Sequence, residues 1–284
     1  MNKLPINLKA LNKHVKELTK KIKPITTKSK YTIKEILEAD PKKLDEIARW
    51  FDTLSPTQKA KFDYIKTEYD NFITKDKKEY HGYVLAKELN INVCPYCNRN
   101  YTFTVIDKKE ISRPEFDHFY SKNKYPILAL SFYNLIPSCH ICNSTLKGKE
   151  EFTINSHIHP YIDSFDKKAK FSFKPLSSDF LYNHKSIKVA LFTTDKKALN
   201  SKTVFKLNEF YKHHHDTVTE LIQKAQIYND SYIDELYQNY EGVLFRNRED
   251  ILRLITGGYI EDKDINKRPL SKLIKDISEE LGLI

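Results

Sequence analysis

Cys94-Pro95-Tyr96-Cys97 and Cys139-His140-Ile141-Cys142 decide how this chain folds. They hold all 4 cysteines of its 284 residues. A two-residue spacer lets a tight turn aim both thiolates at one tetrahedral ion, and a second such pair completes the shell. A single C-x-x-C is a weak signal, whereas two with no cysteine left over are a strong one. Disulfides are disfavoured in a reducing cytosol, and thioredoxin-like redox chemistry needs one such pair in another context. The expected occupant is a structural zinc ion on Cys94, Cys97, Cys139 and Cys142. A four-thiolate shell is closed, so this zinc is not expected to catalyse. The pairs lie farther apart than in simple zinc ribbons, which predicts a functional segment inserted between them.

That segment contains Glu115-Phe116-Asp117-His118-Phe119-Tyr120, then Tyr125-Pro126, then Asn134-Leu135-Ile136-Pro137-Ser138. The second cysteine pair runs on into Asn143-Ser144-Thr145-Leu146-Lys147-Gly148-Lys149. On a strand, Asp117 and His118 would face opposite ways, so a loop or bulge must separate their roles. Taken singly, an Asp-His pair reads as a polar turn and Asn134 as a helix N-cap.

Taken together, the order Asp-His, Asn-Leu, then C-x-x-C-Asn with a following Lys resembles the HNH family of ββα-metal nucleases, over roughly Cys94 to Lys149. The last position is Asn143 rather than His. The longer string, with Ser131-Phe132-Tyr133 before Asn134, is similar to the HNH subunits encoded beside ATPases in Septu-type and some retron anti-phage systems. The resemblance implies an α+β fold: a mainly helical chain surrounding a small zinc-stabilised ββα-metal module. It implies a metal-dependent endonuclease hydrolysing phosphodiester bonds in nucleic acid, DNA foremost, as the effector of a defence complex with an ATPase partner.

The expected roles follow from the chemistry. A neutral imidazole suits deprotonation of water, so His118 is the expected general base. Asp117 and Asn143 offer the oxygen ligands that a catalytic Mg2+ or Mn2+ prefers. By resemblance, Asn134 bonds loop backbone and holds His118 in place. Lys147 is a candidate phosphate contact, or equally a surface lysine. The alternative reading is a zinc-stabilised nucleic-acid-binding or partner-docking subunit without cleavage activity.

The remaining sequence sets bounds. A net charge of +10 and a pI near 9.1 favour polyanionic partners. There is no glycine-rich phosphate loop, so ATP would belong to another polypeptide. No apolar run approaches the roughly 18 residues of a bilayer span, and Met1 to Lys30 lack the uninterrupted apolar core of a secretory signal. The expectation is a cytoplasmic protein without membrane contact. Three regions are predicted: helical 1–89, the metal module 90–160, and mainly helical 161–284. Leu8, Leu11, Val15, Leu18 and Ile22 predict a basic amphipathic first helix, and the helical pattern continues from Thr32 to Leu89. Ser55-Pro56 predicts the start of a helix burying Phe62, Ile65, Tyr69 and Phe72. Phe171 and Phe173 predict a short strand, and Leu207, Phe210, Tyr211, Val218 and Leu221 one helix. Tyr232 to Leu254 fits one helix or two, ended by Gly257-Gly258, and Arg268-Pro269 opens the last. His157 and His159 could join the metal site or pack on the core. His140 and the run His213-His214-His215 are expected at the surface.

Overall fold

Proline after a short polar residue sets the early helix starts. Asp40 and Ser55 each accept a hydrogen bond from the third residue beyond them, while Pro41 and Pro56 occupy first-turn positions where a missing N–H costs nothing. The computed structural model describes all residues except 26–28, 75–78 and 109. The predicted helical pattern at 75–78 therefore lies outside the described residues. The fold is α+β, mostly helical, with small two-stranded sheets. Chain contacts divide it into two units: residues 3–94 with 102–163, and residues 1–2 with 95–101 and 164–284.

In the first of these units the helices are α1 (Leu8–Lys21), α2 (Ile33–Glu38), α3 (Pro41–Asp52), α4 (Pro56–Ala60), α5 (Asp63–Thr74) and α6 (Gly82–Leu89). The predicted stripe holds at Val15, Leu18 and Ile22, which are buried, but Leu8 is exposed and Ala10 and His14 join the buried face. His14 is tolerated there because Leu130 O accepts from its Nε2 at 2.7 Å and Tyr80 Oη lies 3.0 Å from its Nδ1. The helix predicted from Pro56 is broken into α4 and α5. Residues 61–62 form a tight turn, with Phe62 N donating to Lys59 O, and it carries the Phe62 ring between Trp50 and Phe51. Strands β1 (Val105–Ile106) and β2 (Glu110–Ser112) pair antiparallel, as do β3 (Glu115–His118) and β4 (Leu135–Ser138). A π-helical segment, Ile141–Lys147, follows β4.

In the other unit, β5 (Ala169–Pro175) includes the predicted Phe171 strand and pairs antiparallel with β6 (Ile187–Thr193). Ile187, Val189 and Leu191 of β6 are buried in alternation. The helices are α7 (Lys196–Val204), α8 (Leu207–Tyr211), α9 (His215–Ile227), α10 (Asp230–Tyr240), α11 (Arg248–Thr256) and α12 (Ser271–Glu280). The single helix predicted through Leu207 and Leu221 is thus two, joined by a 3-10 turn at Lys212–His214. The Tyr232–Leu254 stretch also resolves into two helices, and α11 ends on left-handed Gly257. The last helix starts at Ser271, two residues past Pro269, because Leu270 takes a positive φ of 63°. Buried Lys272 and Asp276 pair at 2.6 Å on α12, and Asp276 also accepts from Phe171 N of β5. Among the described residues, no helix is long and apolar enough to cross a membrane.

Candidate metal centre and active cleft

The thiols of Cys94, Cys97, Cys139 and Cys142 all lie within 4.8 Å of one another, and all four residues are buried. Thiolates bound at about 2.3 Å around a tetrahedral zinc sit about 3.8 Å apart, so this cluster has the donor set and spacing of a structural zinc site. None is in a disulfide. Local bonds shape the turns. The carbonyl of Cys97 accepts from Tyr211 Oη at 2.7 Å, and Arg99 N lies 3.4 Å from Cys97 Sγ. Cys139 O accepts from Asn143 N at 3.0 Å, which begins the π-helical segment.

The strand β3 brings the inserted segment to a cleft of about 220 Å³. Asp117, His118, Asn143 and Lys147 all line it, together with Tyr69 and Lys122. Asp117 and His118 are the last residues of β3, opposite Ile136 and Leu135 of β4. Asn143 and Lys147 come from the π-helical segment, whose wide turn is marked by Gly148 N donating to Asn143 O. Asn134 lies outside the cleft lining and is fully buried. Its Oδ1 accepts from Tyr120 N at 2.7 Å, and its Nδ2 donates to Tyr120 O and Leu128 O. It thereby ties together both ends of the loop that follows His118.

Ala129 O, one residue beyond Leu128, lies 2.9 Å from His118 Nε2. A carbonyl only accepts, so Nε2 carries the proton and the neutral ring keeps its lone pair on Nδ1. Burial pushes the His118 pKa down to about 3, against the opposing pull of the Ala129 carbonyl. The ring is therefore neutral at pH 7. Tyr69 meets it edge-on, with centroids 4.4 Å apart.

Asn143 Nδ2 donates to Glu115 Oε2 at 2.8 Å, and Ser144 Oγ donates to the same oxygen. Glu115 therefore fixes which end of the Asn143 amide is nitrogen and which is oxygen. Lys147 is not a surface lysine: it is 3% exposed. Its Nζ lies 2.8 Å from Asp117 Oδ1 and 2.5 Å from His118 O.

No family model, curated protein or solved structure matches this chain. His157 stacks on Phe152 with ring centroids 3.7 Å apart, and His159 packs against Phe119 at 4.2 Å. Neither lines the cleft. His140 is exposed and pairs with Glu115 Oε1 at 2.7 Å. His213 is exposed, and His214 and His215 are half-buried.

Neither Glu115 nor Tyr69 has a site role in the sequence motif. Glu115 was findable, since two residues before Asp117 on a strand means the same face. Tyr69 carries no local signal, because α5 reaches the cleft only through tertiary packing.

Proposed function

We infer that the chain is a metal-dependent HNH-type endonuclease that hydrolyses phosphodiester bonds, with DNA as substrate. The observation that carries this reading is the convergence of Asp117, His118 and Asn143 on one cleft, with His118 held as a neutral base through Nε2. A carboxylate and an oriented amide oxygen form the hard-donor set that magnesium or manganese takes, so Asp117 and Asn143 would hold the ion. When bound, such an ion supplies Lewis acidity at the phosphate and the departing 3′ oxygen. His118 Nδ1 takes a proton from water as the water oxygen attacks phosphorus and the P–O3′ bond breaks, and the departing 3′ oxygen takes up a proton from solvent. Asn134 and Ala129 act at a distance from substrate, by holding the loop and the imidazole. The cysteine cluster takes no chemical part. It fixes the turn from which Asn143 departs.

The string from Glu115 to Cys139 supports placing the chain in anti-phage defence beside an ATPase subunit, as in the Septu-type and retron systems it resembles. The positive net charge of +10 is compatible with a nucleic-acid substrate. The experiment is cleavage of plasmid DNA and of RNA with magnesium, manganese or chelator, comparing wild type with Asp117→Ala. Cutting of DNA is expected with either ion, none with chelator, and a loss of at least about a hundredfold in the variant. Binding without any cutting, alone or with the ATPase partner, would move the assignment to a docking or nucleic-acid-binding subunit.

A further inference from the structure

Lys147 is almost fully buried, although Ser144, Thr145, Gly148 and Lys149 around it are exposed. Its ammonium contacts Asp117 Oδ1 and the His118 carbonyl, and it lies 4.9 Å from the Phe152 ring centroid. A desolvated ammonium is tolerated only with partners of this kind. Asp117, the carboxylate proposed to hold a divalent ion, is therefore already neutralised by a cation of the chain itself.

We propose that Lys147 is the resident counter-ion of the cleft, and that it makes divalent-cation binding depend on the phosphate of a bound nucleic acid. This deepens the nuclease reading and rests on it. The argument is charge balance. With Lys147 paired to Asp117, a divalent ion at this carboxylate and the uncharged Asn143 amide leaves its charge unbalanced beside an ammonium. Repulsion between charges in a buried site is weakly screened. Asp117 is the one acid among the described residues lining the cleft. Lys122 is a further cation, offset by Asp70 at 2.9 Å, and the Glu115 carboxylate is held by His140, Asn143 and Ser144 on the amide-nitrogen side of Asn143. A phosphodiester brings the missing negative charge. The ion and the nucleic acid then bind cooperatively, by a factor that is the same for each partner. Free protein stays poor in catalytic metal and loads it on substrate.

The test is manganese binding followed by electron paramagnetic resonance of the free ion, on the full zinc-loaded chain. A His118→Ala background keeps short duplex DNA uncut. In that parent, DNA is expected to tighten manganese binding by about tenfold or more. Lys147→Gln keeps a donor for both oxygens without the charge, and Lys147→Met removes both. Either variant is expected to bind manganese about tenfold more tightly than the parent in the absence of DNA, and to gain much less from DNA. Zinc content and far-ultraviolet circular dichroism identify variants that have folded. The proposal is overturned if DNA leaves the parent's manganese affinity unchanged, a result that needs no Lys147 variant. It is equally overturned if a folded variant binds manganese no more tightly than the parent. An Asp117→Asn control separates the two levels. Manganese binding that depends on Asp117 but ignores Lys147 removes this proposal alone, whereas no Asp117-dependent binding with or without DNA removes the metal-nuclease reading as well.

Discussion

Asn134 has no solvent exposure and makes three hydrogen bonds to backbone at Tyr120 and Leu128. Removing its amide takes the partner from Tyr120 N and Tyr120 O, while Leu128 O keeps Ser131 N at 3.2 Å, and each buried group so stranded costs about 1–3 kcal/mol. Asn134→Ala is therefore expected to lower unfolding stability by about 3 kcal/mol, read from urea denaturation. Asn134→Asp is expected to destabilise too, since a carboxylate can accept from Tyr120 N but cannot donate to the two carbonyls. A change within about 0.5 kcal/mol for either would show that the loop is held by other means. At this scale the sequence was most informative. That Asp117, His118 and Asn143 share a site could be expected from the motif order, and they line one cleft, with Asn134 outside its lining. The burial of Lys147 could not be expected. It depends on Asp117 and Phe152 closing around it, and a lysine before a glycine gives no sign of that.

The elements explain why a scaffold metal matters to a cleft it does not enter. Cys139 directly follows β4, and Cys142 lies inside the π-helical segment that carries Asn143 and Lys147. A bound zinc would therefore fix the start of the segment that supplies Asn143 and Lys147 to the cleft. Metal analysis is expected to find about one zinc per chain, and stripping it with a strong chelator should abolish cooperative unfolding and cleavage together. Stripped protein with an unchanged melting transition would contradict a structural role. The legible elements were those with strong local signals, such as the Ser55-Pro56 helix start and the Gly257 stop. The α4–α5 break was not legible, because Phe62 keeps helical spacing while its ring demands a corner between Trp50 and Phe51. Strand β6 was missed although Ile187, Val189 and Leu191 alternate within it. Short alternating runs are ambiguous until a partner strand such as β5 is known.

For the molecule as a whole, the class was readable and the division of the chain was not. Residues 95–101 belong with 164–284 rather than with the sequence around them. The reason is visible at Asn98, which holds a positive φ of 49° and bonds Ile265 O and Lys272 N, 167 and 174 residues away. Contacts at such separations leave no pattern in a single sequence, whereas charge, cysteine spacing and helical periodicity do. The same distinction applies to the cleft: the motif singles out Asp117, His118 and Asn143, and only the folded chain brings them to one cleft. The most direct measurement is single-turnover cleavage of DNA with magnesium by wild type and His118→Ala, each with its zinc content checked. The account predicts a loss of about a hundredfold or more in the variant, with zinc still bound. Cleavage at the wild-type rate by zinc-loaded His118→Ala would contradict it.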